Sequence, residues 1–503
     1  MRKYSAHYLT HIVDYRKRRA QADVKIKPLP TKPEEMTWRD YVIMLLHIGA
    51  ELEHGLMVQY LYAAYSLGGD HLSHEDQVEV QEWQDRILTV AREEMGHLLT
   101  VQNLLCLLGG PITFDRQEFP WDTPFYPFPF SFKPLTRETL AAFVFAEMPG
   151  NFDTLEAFYE KAAPSSEAAQ FLEDIPFIKK VVKEWVKKDD ARPVGEVYHL
   201  IHDILANPDL IPDSEFRPET YPLQASWDDW GRSYHPDPSP PNSKRAKENR
   251  VKANIIIERV ATRTEALYAL REISGQGENA ELRPTDDEEP SHFERFVEVM
   301  VKYDERVKQS RNWSPSRPVP INPTTTTPAD PQDAPKDSTP IKNEASSKWA
   351  DLFNCRYRML LTYLTHTFRL ARVVDPNVPN ARGAIMHRVF GEMYNLKAIS
   401  GILVRMPLMK DPEDKRRAGP PFQMPYTLVL PADEVDCWRL HRDIISNSKS
   451  LCDSLMDPDN HFLEVTPSEG EPYLKVLCNL DNNAIAWVDT VLAGLQENEG
   501  KHS

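Results

Sequence analysis

Glu94 and His97 stand three residues apart in the stretch AREEMGHLLTVQNLL, residues 91–105. Residues at that spacing share one face of a helix. Val90, Ala91, Leu98, Val101 and Leu105 form the apolar stripe of that helix, and Glu94 falls on it. A carboxylate and an imidazole are therefore predicted to point into a core. A buried carboxylate is costly unless it is paired or bound to a metal. One hard oxygen and one imidazole nitrogen on the same inward face make the ligand unit of dinuclear iron and manganese sites in helical bundles. Glu93, one position back, is expected on the flank, better placed for water.

Such a site needs further carboxylates from neighbouring helices. Glu53 lies on the apolar stripe of the preceding helical pattern, one turn from Gly49, Ala50, Leu56 and Met57. Glu196 is bracketed by Val194, Val197 and Leu200, with His199 three residues on. Near His292 there are two candidates, Glu278 and Glu289. Glu289 has the Glu-x-x-His spacing, but Pro290 puts it at or before a helix start, and it belongs to the acidic run TDDEEP. Glu278 follows GQG, where glycines allow a close turn, and is the expected ligand. Each pair alone could be surface charge, since acidic runs are usually solvated. The conjunction of inward carboxylates and imidazoles on successive helices favours a bound metal. His47, His54 and His71 read as ordinary helix or loop histidines.

Long helices must position these groups. Apolar positions recur at helical spacing from Trp38 to about Leu67, and again from about Glu75 to Leu108, where GGP stops the helix. A short turn between them predicts a helical hairpin. Prolines at 120, 124, 127, 129 and 134 exclude a regular helix in FPWDTPFYPFPFSFKPL. Its aromatic residues are expected to strap the bundle rather than wall a pocket. Helical patterns resume at TRETLAAFVFAEMP, PFIKKVVKEWVKK and PVGEVYHLIHDIL, then from about Val251 to Ser274 and after Ser291, where Glu294 completes a capping box. Residues 1–36 read as a polar leader, 37–311 as the bundle, and 312–347 as a Pro/Thr/Ser-rich linker. Residues 348–503 carry four more helical patterns, starting near Lys348, Ala381, Ala432 and Glu471, enough for a second helical domain.

The whole chain sets bounds. It has 503 residues, 76 acidic against 59 basic, and a formal charge of -17, which argues against a nucleic-acid partner. The N-terminal stretch lacks the apolar core of a secretory signal. The best apolar run, near Leu45, is broken by His47, Glu51, Glu53 and His54, so no membrane span is expected. Five scattered cysteines without a CxxC pattern suit a reduced, cytoplasmic setting. Forty-two prolines against 19 glycines fit long helices joined by proline-rich connections.

The segments LEHGLMVQYLYAAYSL, AREEMGHLLTVQNLLCLLGGP, FYPFPF, AEMP, GEVY, QGE, SHFERF and AGPPFQMP resemble the ferritin-like family typified by violacein- and chromopyrrolate-forming enzymes, the iminophenyl-pyruvate dimer synthases. The resemblance covers Thr37 to Val301 well and the C-terminal part more loosely. It implies an all-α, ferritin-like four-helix bundle with elaborating loops, followed by the second helical domain. It also implies the metal-ligand set Glu53, Glu94, His97, Glu196, Glu278 and His292, with Glu53, Glu94, His97 and Glu196 at the reacting centre. Dinuclear non-heme iron is the expected cofactor, with manganese or another transition metal as the alternative. The implied chemistry is oxidative, on a small aromatic substrate derived from an amino acid, with imine dimerisation as the specific form. Family members work beside an amino-acid oxidase that supplies the substrate, and dioxygen is the second expected reactant. A homodimer is a candidate assembly. A ferroxidase or iron-binding protein, or an inactive helical scaffold, is the competing class.

Overall fold

The computed structural model of the protein describes residues 30–118, 128–148, 152, 156, 166–185, 194–226, 229, 255–277, 290–310, 312–325, 338–371 and 381–502. Helices dominate it, and it divides into two compact units. The first comprises residues 1–131 and 135–315, the second residues 132–134 and 316–503.

In the first unit, α1 spans Trp38–Ser66 and α2 spans His74–Leu108. Each starts where a hydroxyl at the N-cap can accept an orphan backbone N–H: Thr37 from Asp40, Ser73 from Asp76. α2 ends at Gly109, whose φ of 63° is a left-handed conformation that glycine takes without strain. The two pack along their lengths as the predicted hairpin. α1 is long and apolar enough to cross a membrane by length and composition, contrary to the expectation from its polar interruptions. Most of it is buried inside the unit, as a core helix is. Around the hairpin lie α3 (Arg137–Ala146), α4 (Ser166–Trp185), α5 (Gly195–Leu205), α6 (Arg263–Gly277) and α7 (His292–Gln309). Ser291 and Glu294 close the predicted capping box at α7. Within the aromatic-proline stretch, Phe128, Phe130 and Phe132 are buried; Trp121, Phe125 and Tyr126 lie outside the described residues.

The helix expected from Val251 starts only at Arg263. Residues 255–260 are non-helical instead, and side chains of other elements take up their backbone groups. Thr100 Oγ1 donates to Ile256 O at 3.2 Å and accepts from Glu258 N at 3.1 Å, while Asn103 Nδ2 donates to Glu258 O at 2.8 Å. The β-branched run Ile255–Ile257 has low helix propensity, in keeping with that non-helical path.

In the second unit α8 (Glu344–Thr367) packs against α9 (Ala381–Leu403) and α10 (Glu434–Met456), and α10 against α11 (Gly470–His502). The stretch read as a linker holds structure at both ends. Pro323–Thr324 (β1) pairs in parallel with Thr339–Pro340 (β2), Ile341 is buried, and α8 begins before residue 348. Arg356 anchors the interior of this unit, bonded to Glu392 at 3.1 Å and Asp481 at 2.7 Å.

Candidate metal centre

Glu53 from α1 and Glu94 and His97 from α2 converge in the core of the first unit, all but inaccessible to solvent. His97 Nδ1 lies 3.1 Å from Glu94 Oε2 and 3.4 Å from Glu53 Oε2. A second group shares Glu94 and adds Glu147, at the C-cap of α3, and His292, the first residue of α7. His292 Nδ1 is 3.1 Å from Glu94 Oε1 and 3.6 Å from Glu147 Oε2. The donor atoms of each group lie within 4.8 Å of one another. Glu94 thus offers one oxygen to each side, as a bridging carboxylate would.

The surroundings repeat on the two sides. Both imidazoles turn Nδ1 inward and have Nε2 tied from behind: His97 to Gln276 Oε1 at 2.9 Å, His292 to Glu93 Oε2 at 3.0 Å. Both outer carboxylates accept a tyrosine hydroxyl, Glu53 from Tyr198 on α5 and Glu147 from Tyr60 on α1. Outer partners of this kind fix the tautomer and aim of a ligand. Arg295, one turn along α7, sits 3.3 Å from Glu93 Oε1.

Charge is finely balanced here. Burial, then the charge of Glu94 and a shared hydrogen bond, push Glu53 up to about 8 against the pull of His97. Burial also acts to raise Glu94, but the charge of His292 and hydrogen bonds from Glu53, His292 and His97 hold it well below the carboxylate range. Burial disfavours charged His97, yet its bonds to Glu53 and Glu94 lift it to about 10. The same opposition raises His292, through Glu94, Glu147 and Glu93. Burial and Glu94 raise Glu147. Closely spaced carboxylates in this core demand positive charge, which protons on the two histidines supply when no cation does.

These residues fit a metal. His292 Nδ1 is buried and faces two carboxylates, but neither meets it in the alignment of a well-formed hydrogen bond. A small cavity of about 20 Å³, bordered by Glu53, Glu94, His97 and Glu147, has room for a guest of ionic or water size. Hard oxygens with imidazole nitrogens suit iron or manganese.

Sequence reasoning places Glu53, Glu94, His97 and His292 in this one cluster. Glu93 departs from its expected position on the wet flank: it is fully buried. From Ile87 to Leu108 only Arg92 is exposed, because α2 is covered all round and α7 lies over the face that carries Glu93. Glu196 lies in α5, and its side chain is outside the described residues; the side chain of this helix seen at the cluster is that of Tyr198. Glu278 and Glu289 are both outside the described residues, so the choice between them stays an expectation. Glu147 was missed. Its signal was present: a lone carboxylate closing the apolar run LAAFVFAEMP. Tyr60 falls on the same helical stripe as Glu53, seven residues on; Tyr198 and Gln276 carry no such signal.

A family model described as Ferritin-like matches residues 46–301, just over half of the chain. Dichlorochromopyrrolate synthase from Lentzea aerocolonigenes is 25% identical over 417 residues, 77% of this chain and 36% of that protein. The 2-imino-3-(indol-3-yl)propanoate dimerase from Chromobacterium violaceum is 31% identical over 170 residues, 28% of this chain and 16% of that protein. The chain therefore spans about a third or less of the length of these curated relatives. No solved structure matches.

Proposed function

The chain belongs to the ferritin-like family, and from that premise we propose that it is a metal-dependent enzyme of natural-product biosynthesis that couples two imines derived from an aromatic amino acid. The observation that carries the reading is the shared carboxylate: Glu94 stands between two buried donor groups, Glu53–His97 and Glu147–His292. Two relatives named for a chromopyrrolate product and for an indolyl imine dimer supply the substrate class.

Glu53, Glu94, His97, Glu147 and His292 would hold a pair of iron ions, with Glu196 and Glu278 as further candidate ligands. When bound, iron supplies redox chemistry that closed-shell side chains cannot. The protein's own part is to aim the ligands and exclude water. Tyr198 and Tyr60 fix the outer carboxylates, and Gln276 and Glu93 fix the imidazoles. In the coupling itself two C–H bonds are lost and one C–C bond forms. Two electrons and two protons leave to dioxygen, the oxidant this reading names. An amino-acid oxidase would supply the imine, and a homodimer is a candidate assembly. Five free, buried cysteines support a reducing compartment such as the cytoplasm.

The test couples an L-amino-acid oxidase and tryptophan to iron-loaded protein and follows the dimer by mass spectrometry. Dimer with wild type and none with Glu94→Ala is the expected result. Iron oxidation without any organic dimer across a panel of aromatic amino acids would replace this reading by a ferroxidase.

A further inference from the structure

A different set of donors lies in the second unit. His366, in the last turn of α8, faces the first two turns of α10. His366 Nε2 is 3.1 and 3.2 Å from the two oxygens of Glu434. Cys437, three residues beyond Glu434 and so on the same helix face, completes a group whose ligand atoms all lie within 4.8 Å of one another. His366 and Cys437 are fully buried, whereas the Glu434 side chain is 39% exposed.

We propose that His366, Glu434 and Cys437 bind a single zinc-class divalent ion, with the fourth position open to water on the exposed side of Glu434. Four features support this. The donor set is mixed: one imidazole, one carboxylate and one thiol, the combination that borderline zinc accepts and that the all-oxygen-and-nitrogen cluster of the first unit does not offer. Bonds of about 2.0–2.3 Å in a tetrahedron place donor atoms roughly 3.3–3.8 Å apart, within the span seen here.

The outer partners are already in place. His366 Nδ1 meets His441 Nε2 at 3.2 Å, which can hold the ring with Nε2 free for an ion. Trp438 Nε1 donates to Glu434 Oε1 at 2.7 Å, and Arg369 Nη1 reaches Cys437 Sγ at 3.4 Å. Backing donors and acceptors of this kind orient ligands and temper a bound thiolate. Finally, His441 Nδ1 is buried with no hydrogen-bond partner among the described residues. Thiolate and carboxylate together supply two negative charges against the ion's two positive ones. The ion would clip the end of α8 to the start of α10.

Cobalt(II) reports this site separately from the first, because only a sulfur ligand gives a thiolate-to-cobalt charge-transfer band. Full-length protein, with its iron site loaded, is titrated with cobalt. One equivalent should raise the band, and zinc should bleach it. Cys437→Ser should abolish the band, while Cys106→Ser and Cys452→Ser should leave it. Should Cys437→Ser fail to fold, Glu434→Gln, at a partly exposed position, should weaken cobalt binding at least tenfold. No band in wild type, a band that survives Cys437→Ser, or wild-type affinity in a folded Glu434→Gln overturns the proposal. Iron content is read in the same samples, so loss of the first site is not mistaken for loss of this one.

Discussion

At the scale of single residues, Glu93 and Glu94 are neighbours with different duties. Glu94 faces both halves of the cluster, so its loss should remove metal from both. Glu94→Ala is expected to fall to nearly no iron, and His97→Ala or His292→Ala to retain more than Glu94→Ala does, by elemental analysis after reconstitution. Equal loss in all three would show that no carboxylate is shared. Glu93 touches no donor group's centre; it backs His292 and pairs with Arg295. Removing it leaves the buried Arg295 guanidinium without its counter-charge, though still bonded to Pro290 O, and the His292 Nε2 without its partner. Glu93→Ala should cost about 3–5 kcal/mol in denaturant unfolding and weaken metal affinity by roughly 10–100-fold. Glu93→Gln, which keeps an acceptor oxygen for His292, should recover most of the metal affinity. A wild-type Glu93→Ala would mean that the covering by α7 does not hold in solution.

Between elements, two contacts lend themselves to measurement. α2 approaches the non-helical segment 255–260 so closely at Gly96 that a Cβ there would meet Ile256 O at 2.6 Å and an Ile255 methyl at 2.7 Å. Backbone held by Thr100 and Asn103 cannot retreat freely. Gly96→Ala should therefore destabilise by about 1–3 kcal/mol, despite alanine's better helix propensity. A stabilised variant would show that the segment yields. The second contact joins α3, α4 and α7 through Arg137, which bonds Asp304 at 2.6 Å and Asp174 at 3.0 Å. Burial and the adjacent Asp304 carboxylate push Asp174 up to about 7 in spite of Arg137. Its folded value is raised above the unfolded one near 3.9. The folded state therefore binds more protons between about pH 4 and 7, and stability falls as pH rises through that window. Asp174→Asn should melt higher than wild type at pH 8, with the gap closing toward pH 4. A gap independent of pH would remove the titration from the explanation.

For the whole molecule, the bundle and the second unit should be separable by their metals. Protein purified without added metal is expected to hold close to two iron ions per chain in the first unit. Fewer than about half an ion after reconstitution would leave the paired-charge core as the better description. Size-exclusion chromatography should show a small assembly rather than the shell of a storage protein. The charge of -17 predicts no retention on DNA at physiological salt.

Periodicity and spacing were enough for much of this. The 3.6-residue stripes, the hydroxyl caps and GGP marked α1 and α2, and with them Glu53, Glu94 and His97, because those signals are local to one helix. Ser291 and Glu294 marked the start of α7 in the same way, and so placed His292. What one helix cannot disclose is what lies against its other faces. Glu93 reads as solvated until α7 covers it, and residues 255–260 read as helix until Thr100 and Asn103 claim their backbone. Glu147, Tyr198 and Gln276 reach the cluster from elements distant in the chain, through contacts that leave no period behind. The kinds of side chain that meet in the cluster were written in the sequence. The sharing of Glu94 between two donor groups, and the matched supports behind them, were decided only when the helices packed, because burial and distance are properties of neighbours in space.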